Sequence, residues 1–339
     1  MLRRPRPAPK KSRANSPFAV LVLVPHVSRP KRDITGVLLL DKPLGLSSNA
    51  ALTRAKILFE AAKAGHTGTL DPAASGLLPV CFGEATKYAG YLLNAGKTYE
   101  AVIQLGVTTS TGDAEGEVLS RQAVAVTPEA VQGALSRFTG PITQIPPMHS
   151  ALKCQGRRLY ELARAGLEVT RAPRQVTIYA LNLTELNGDL LTIRAACSKG
   201  TYIRVLAEDI GQALGCGAHL AALRRTRVAD FDLVAAIGLE DLGELPLAQR
   251  GARLLAPDCL LGHLPRLDVS GEEAIRLLHG NWVDAPALAA AGEVRLYGTA
   301  GEFLGVGALE PGRQLTPRRM MSSQDTVPTM GPDAEHISG

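Results

Sequence analysis

The chain has 339 residues, enough for roughly two domains, and its 45% hydrophobic and 20% charged content excludes a disordered or fibrous protein. Nine Lys/Arg and no acid fall in residues 1–32, so a net charge of +5 leaves the rest of the chain at −4; global basicity is no argument for nucleic-acid binding, which has to rest on local patches. Cys81, Cys154, Cys197, Cys216 and Cys259 form an odd set without a Cys-x-x-Cys pair, which excludes a disulfide framework and a zinc site and points to a reducing, cytoplasmic setting, while the apolar run 18–24 falls far short of the ~18 residues that span a membrane.

Residues 1–33 read as a disordered basic arm, rich in Pro and Arg, which is either an RNA-touching arm or a plain tail. Order begins near Ile34. Gly36-Val37-Leu38-Leu39-Leu40 is a continuous apolar run, as in a strand buried on both faces, and Asp41-Lys42-Pro43 ends it. Ser47, Ser48 and Asn49 are N-cap candidates for a helix over about 50–62. Residues 77–82 read as a short strand, 84–93 as a helix with Ala85, Tyr88, Ala89 and Leu92 on one face, and 98–105 as a strand carrying Tyr99. Thr127-Pro128-Glu129 starts a helix that runs to about Phe138, with Pro at the first helical position.

Between Lys153 and Arg174 six basic residues stand against Glu161 and Glu168. Leu159, Leu162 and Ala163 face inward on a short helix there, leaving Arg157, Arg158 and Arg164 to solvent. The segment is a solvated helix face or a phosphate-contacting patch. Strands over 176–183 and 190–196 are joined by a tight turn at Asn187-Gly188. Lys199-Gly200-Thr201-Tyr202-Ile203-Arg204 leads into a helix ending at Leu214-Gly215, a strand follows near 228–234, and 246–263 is linker-like. A second unit starts near Leu264. Ser270 and Glu273 form a capping box for a helix ending at Gly280, and strands over 293–297 and 303–309 make the unit β-rich. Residues 322–339 form a polar, disordered tail.

The stretch that carries most chemistry is Gly65-His66-Thr67-Gly68-Thr69-Leu70-Asp71-Pro72. Both glycines are free to take positive φ, which allows two sharp turns, and Pro72 holds Asp71 extended. The result is a rigid loop presenting one carboxylate. A lone Gly-x-x-Gly is by itself a surface turn, and no Gly-Lys-Ser/Thr follows, which excludes a Walker loop.

Set beside Leu40-Asp41-Lys42-Pro43, Gly83-Glu84-Ala85-Thr86-Lys87, Lys97-Thr98-Tyr99, Ser198-Lys199-Gly200-Thr201-Tyr202-Ile203-Arg204 and Leu214-Gly215-Cys216-Gly217-Ala218-His219, in that order, the loop makes the chain resemble the TruB family of tRNA pseudouridine synthases. The resemblance covers about residues 36–319. It implies an α/β fold of the α+β type: a bent, mainly antiparallel mixed sheet flanked by helices over 34–255, interrupted by an RNA-clamp insertion at about 147–175, then a small PUA-like RNA-binding domain over 264–321. It implies isomerisation of uridine 55 in the T loop of tRNA by a monomer that needs no cofactor, metal or protein partner.

By the same resemblance Asp71 is the catalytic carboxylate, acting on the sugar, on the base, or in proton loss that forms a glycal. Arg204 pairs with it, and Tyr99 stacks on the flipped uracil and is the route for the C5 proton. Tyr202 and Leu223 line the pocket, His66 stacks where the base has left the RNA, and Lys42 supports the loop. Asp113 joins the polar network near Arg204, although Ser110 stands where the family often has an acid. Lys153, Arg157, Arg158 and Arg164 belong to the clamp. An RNA-folding chaperone that opens the tRNA elbow, and a guide-RNA-dependent relative, are the competing readings.

Overall fold

The computed structural model describes residues 31–150, 152–154, 156–284, 291–310 and 314–322. Most of the expected basic arm and all but the first residue of the expected tail lie outside these. The first strand, β1 (Gly36–Lys42), has Val37, Leu38 and Leu40 wholly enclosed. Leu38 and Leu40 pack toward the helix Ser48–Leu58, and Val37 and Leu39 into a different cluster on the opposite face, as a continuous apolar run requires. Each such side chain contributes about 1.5–3 kcal/mol by burial.

β2 (Ala64–His66), β3 (Ala74–Phe82) and β4 (Lys97–Leu105) follow. β1 pairs antiparallel with β3, and β2 antiparallel with the far end of β3. The strand Ala218–Val228 inserts between β3 and β4, parallel to the first and antiparallel to the second. Beyond β4 come Leu190–Cys197, Arg174–Asn187 and Gly140–Gln144, each antiparallel to its neighbour. The sheet is thus mixed and mainly antiparallel. The helix Ile203–Ala213 buries Ile203, Leu206, Ala207 and Ile210, the i, i+3, i+4, i+7 stripe of one helical face, against β4 and Leu190–Cys197.

A second sheet of five strands, with Phe303–Glu310 at its centre, carries the helix Gly271–Leu278. Its capping box closes as the sequence leads one to expect, Ser270 accepting from the Glu273 N–H and Glu273 from the Ser270 N–H. One apolar cluster joins the two sheets: Tyr88 packs edge-on against Phe303, and Leu260 and Leu261 fill the space beside them.

Several sequence expectations need correction. Residues 84–93 form a 3-10 turn, Gly83–Lys87, followed by a short helix, Ala89–Leu93, although Ala85, Tyr88 and Leu92 do share the buried side. Of the strand placed near 228–234 only Phe231–Asp232 forms, paired back antiparallel on the longer strand Ala218–Val228, which Ala229 ends with a positive φ. Residues 246–263 are no free linker, since Leu254–Leu255 pairs with β1 and Leu260 and Leu261 are core. Gly65 sits in β2, paired with Cys81, so of the two loop glycines only Gly68 takes a positive φ.

Candidate active site

Asp71 follows the turn at Gly68 and stands at the mouth of a cavity of about 290 Å³ that Tyr99, Tyr202, Arg204, Leu223 and Arg225 also line. Ser48, buried at the start of its helix, pins the loop from below: its Oγ accepts from the Leu70 N–H at 2.7 Å and donates to the Leu70 carbonyl at 3.0 Å. The Gly45 N–H donates to the Pro72 carbonyl at 2.8 Å on the other side. With both neighbours of Asp71 tethered, its carboxylate has a defined position although it is 57% exposed.

That carboxylate meets Arg204, in the first turn of the helix Ile203–Ala213. Arg204 Nη2 lies 3.2 Å from Asp71 Oδ2 and donates to the His149 carbonyl at 2.7 Å, while Nη1 lies 3.0 Å from Asp113 Oδ2. Asp113 is fixed in turn, its Oδ1 accepting from Thr111 Oγ1 at 2.5 Å and from the Glu115 N–H at 3.1 Å. A buried guanidinium held by one buried carboxylate thus presents its remaining face to the exposed one.

Tyr202 is the residue before that helix. The Gln144 side-chain amide grips its backbone at both ends, accepting from the Tyr202 N–H at 3.0 Å and donating to the Tyr202 carbonyl at 3.2 Å. Burial pushes the phenols of Tyr202 and Tyr99 above their ordinary range. Leu223 lies on Ala218–Val228, opposite Ala74 and Ala101, whose small side chains leave it room over the cavity.

Lys42, at the end of β1, and His66, at the start of the loop, are outside the cavity lining. Lys42 is 0% exposed, and its Nζ donates to the carbonyls of Pro43 (2.9 Å) and Leu46 (2.6 Å); burial, and then Arg225, push its ammonium down to about 8. It braces the turn that supports Pro72. His66 sits within hydrogen-bonding distance of Asn49 Oδ1 (3.3 Å), and burial with Arg225 lowers its pKa. Lys153, Arg157, Arg158 and Arg164 are all exposed on a two-stranded hairpin and the helix Leu159–Arg164. Leu159 and Leu162 are buried, as expected, and Arg158 and Arg164 flank the Tyr160 ring at 5.9 and 5.6 Å. Among the described residues no group of three His, Cys, Asp or Glu comes together as a metal site, and no helix is long and apolar enough to cross a membrane.

Residues 56–203 match the model for the TruB family pseudouridylate synthase N-terminal domain. Residues 204–257 match the tRNA pseudouridylate synthase B C-terminal domain, and 265–321 the pseudouridine synthase II TruB C-terminal domain. A tRNA pseudouridine synthase B of Dechloromonas aromatica is 58% identical over 88% of this chain and 99% of its own.

The chain belongs to the TruB family.

Another relative of the same name, from Stutzerimonas stutzeri, is 52% identical over 88% of the chain and 99% of its own. Among solved structures, a chain of a Cbf5-Nop10-Gar1 complex superposes with a TM-score of 0.63 at 28% identity, covering 86% of this chain and 80% of that one. A chain of an H/ACA RNP bound to a substrate RNA containing 2′-deoxyuridine gives 0.65 at 25% identity, covering 87% and 88%. In this TruB family member the fold brings together Asp71, Tyr99, Arg204, Tyr202, Leu223 and Asp113 from five separate stretches. Sequence reading missed Gln144, the His149 carbonyl and Arg225. Ser48 was noted there only as a helix-cap candidate. Arg225 gave no signal, because beside Arg224 it reads as one more surface base.

Proposed function

We propose that this TruB family chain is a cytoplasmic tRNA pseudouridine synthase that isomerises uridine 55 in the T loop, with Asp71 as the catalytic carboxylate. The observation that carries this is the Asp71–Arg204 ion pair at the mouth of a cavity walled by Tyr99, Tyr202 and Leu223. The first sheet is the catalytic domain and the second the RNA-binding one. The enzyme works on the T arm as a monomer.

The reaction breaks the N1–C1′ bond, turns the uracil and joins C5 to C1′, so atoms are conserved. The target base has to leave its stack to reach the cavity, and the two tyrosines and Leu223 offer it apolar walls. Asp71 is held at the rim where the sugar arrives, with Arg204 as counter-charge. It acts there as an anion toward the sugar or base, or on a sugar proton. Arg204 holds Asp113, Asp71 and the His149 carbonyl together, which limits the reorientation the carboxylate undergoes as charge develops. Tyr99 stacks on the base and takes the C5 proton, Tyr202 and Leu223 fix the ring plane, and His66 fills the gap in the RNA. The exposed bases of the insertion contact phosphates of the T arm.

Incubation of the protein with unmodified tRNA, followed by mapping of pseudouridine, tests the reading. Conversion at position 55 alone is expected. A protein that binds and refolds tRNA without converting it would be a chaperone.

A further inference from the structure

Arg225 is the bulkiest fully enclosed side chain among the described residues, at 1% exposure. No carboxylate among the described residues pairs with it. Its Nε–H donates to the Leu77 carbonyl at 2.7 Å, and its two terminal nitrogens to the Thr69 and Gly68 carbonyls at 3.4 Å each. Burying a cation against neutral acceptors is costly, and an apolar residue of similar volume is cheaper to bury. Such a residue is a candidate for function.

The register says where the charge acts. Arg225 stands on Ala218–Val228 directly opposite Tyr99 on β4 and, on its other side, opposite Gly76 on β3. Directly opposed residues of an antiparallel pair are near neighbours on one face. Both side chains line the same cavity, and the guanidinium lies near enough to the Tyr99 phenol to favour its charged form. Gly76 makes the close approach possible: it has φ +103°, and a Cβ there would lie 2.3 Å from the Arg225 carbonyl oxygen.

We propose that Arg225 is a positioning residue that holds Tyr99 ready to accept the uracil C5 proton while fixing the height of the loop that carries Asp71. This rests on the role given to Tyr99 above. Once C5 is bonded to C1′, it still carries its hydrogen. The C5–H bond breaks and its electron pair forms C5=C6. The former C6=N1 π pair moves to N1, which takes a proton from water. The C5 proton goes to the Tyr99 phenolate oxygen, and the phenol later returns it to solvent. An adjacent guanidinium favours the phenolate by charge and by hydrogen bonding. The other groups facing the phenol, the Cys197 thiol and the Asp71 carboxylate, act against ionisation, as burial does. The nearby Lys97 ammonium is occupied by the carbonyls of Leu92, Leu93 and Ala95.

The test is single-turnover conversion of tRNA carrying uridine or 5-deuterouridine at the target, by wild type, Arg225→Gln, Arg225→Lys and Tyr99→Phe, with tRNA affinity and melting temperature measured beside it. Arg225→Gln is expected to slow conversion at least ten-fold with affinity nearly unchanged, and to enlarge the deuterium isotope effect because proton removal has become slower. Arg225→Lys keeps the charge but cannot span the loop carbonyls and the phenol together, and should show the same change to a smaller degree. It decides the matter if Arg225→Gln does not fold. A slower rate with an unaltered isotope effect in both variants would overturn the proposal and leave Arg225 a loop brace. A Tyr99→Phe enzyme with wild-type rate and isotope effect would instead remove Tyr99 as the acceptor, a failure distinct from that of Arg225.

Discussion

Replacing Asp71 by Asn removes one negative charge and almost no volume, and the structure sets what each measurement should read. The folded state loses one ion pair whose carboxylate is 57% exposed, and such pairs contribute about 0–1 kcal/mol. Arg204 is not left bare, because Asp113 at 3.0 Å and the His149 carbonyl at 2.7 Å remain. The loop is held by Ser48 and Gly45 through backbone groups that the substitution does not touch. Melting temperature should therefore fall by only a few degrees. Chemistry loses its anion, and an amide neither attacks carbon nor takes a sugar proton. A fall of at least 10⁴-fold is expected, about 5.4 kcal/mol of barrier. Tritium release from tRNA labelled at uridine C5, under single-turnover conditions, reads the chemistry, and filter binding reads affinity. A folded Asp71→Asn enzyme that releases tritium at near wild-type rate would refute the reasoning. A parallel loss of affinity would make the loop a binding element.

Neutralising Lys153, Arg157, Arg158 and Arg164, all exposed, should leave the melting temperature unchanged and flatten the salt dependence of tRNA binding by about 0.7–0.9 log units per lost phosphate contact; an unaltered slope removes them from the interface. The Lys42 ammonium is pushed down to about 8 from 10.5, so between those values the unfolded chain binds more protons and this group makes stability rise with pH. The buried Cys81 thiol, pushed up to about 12, acts in the opposite direction above pH 9. The stability of wild type relative to Lys42→Met should accordingly increase from pH 8 to 10, and a constant difference would show that Lys42 titrates normally. Gly76→Ala places a Cβ against the Arg225 backbone at positive φ; denaturant melts should show a loss of at least about 1–3 kcal/mol from the backbone alone, and a neutral result would mean that β3 and Ala218–Val228 do not approach this closely.

Much of the fold was legible because it is local. The apolar run of β1, the Ser47 cap of Ser48–Leu58, Pro128 at the start of its helix, the Ser270–Glu273 box and the turn at Gly188 each depend on a few neighbouring residues and their backbone preferences. The candidate site was legible chiefly through the resemblance, which rests on ordered motifs such as Gly65–Pro72 and Lys199–Arg204. The strand Ala218–Val228 was not legible. Its arginines and alanines follow no period of two, and it is a strand because β3 and β4 offer hydrogen bonds on both sides. Residues 314–320 were likewise not placed, since Pro317 sits inside an edge-proximal strand that is accommodated by a register shift against Phe303–Glu310.

By itself, then, the sequence determined which segments have one buried side, where several helices begin, and which loop presents Asp71, because these follow from short-range sterics and from the pattern of apolar residues. Only the tertiary structure decided that the His149 carbonyl completes the Arg204 cluster, that Gln144 grips Tyr202 from 58 residues away, and that Arg225, rather than Arg224, is the buried base. Arg224 reaches Asp41 at a half-open edge, while Arg225 turns inward to carbonyls 148 to 157 residues distant. The alternation of side chains along a strand puts these two adjacent arginines on opposite faces, and which face is interior depends on the sheet that forms around them.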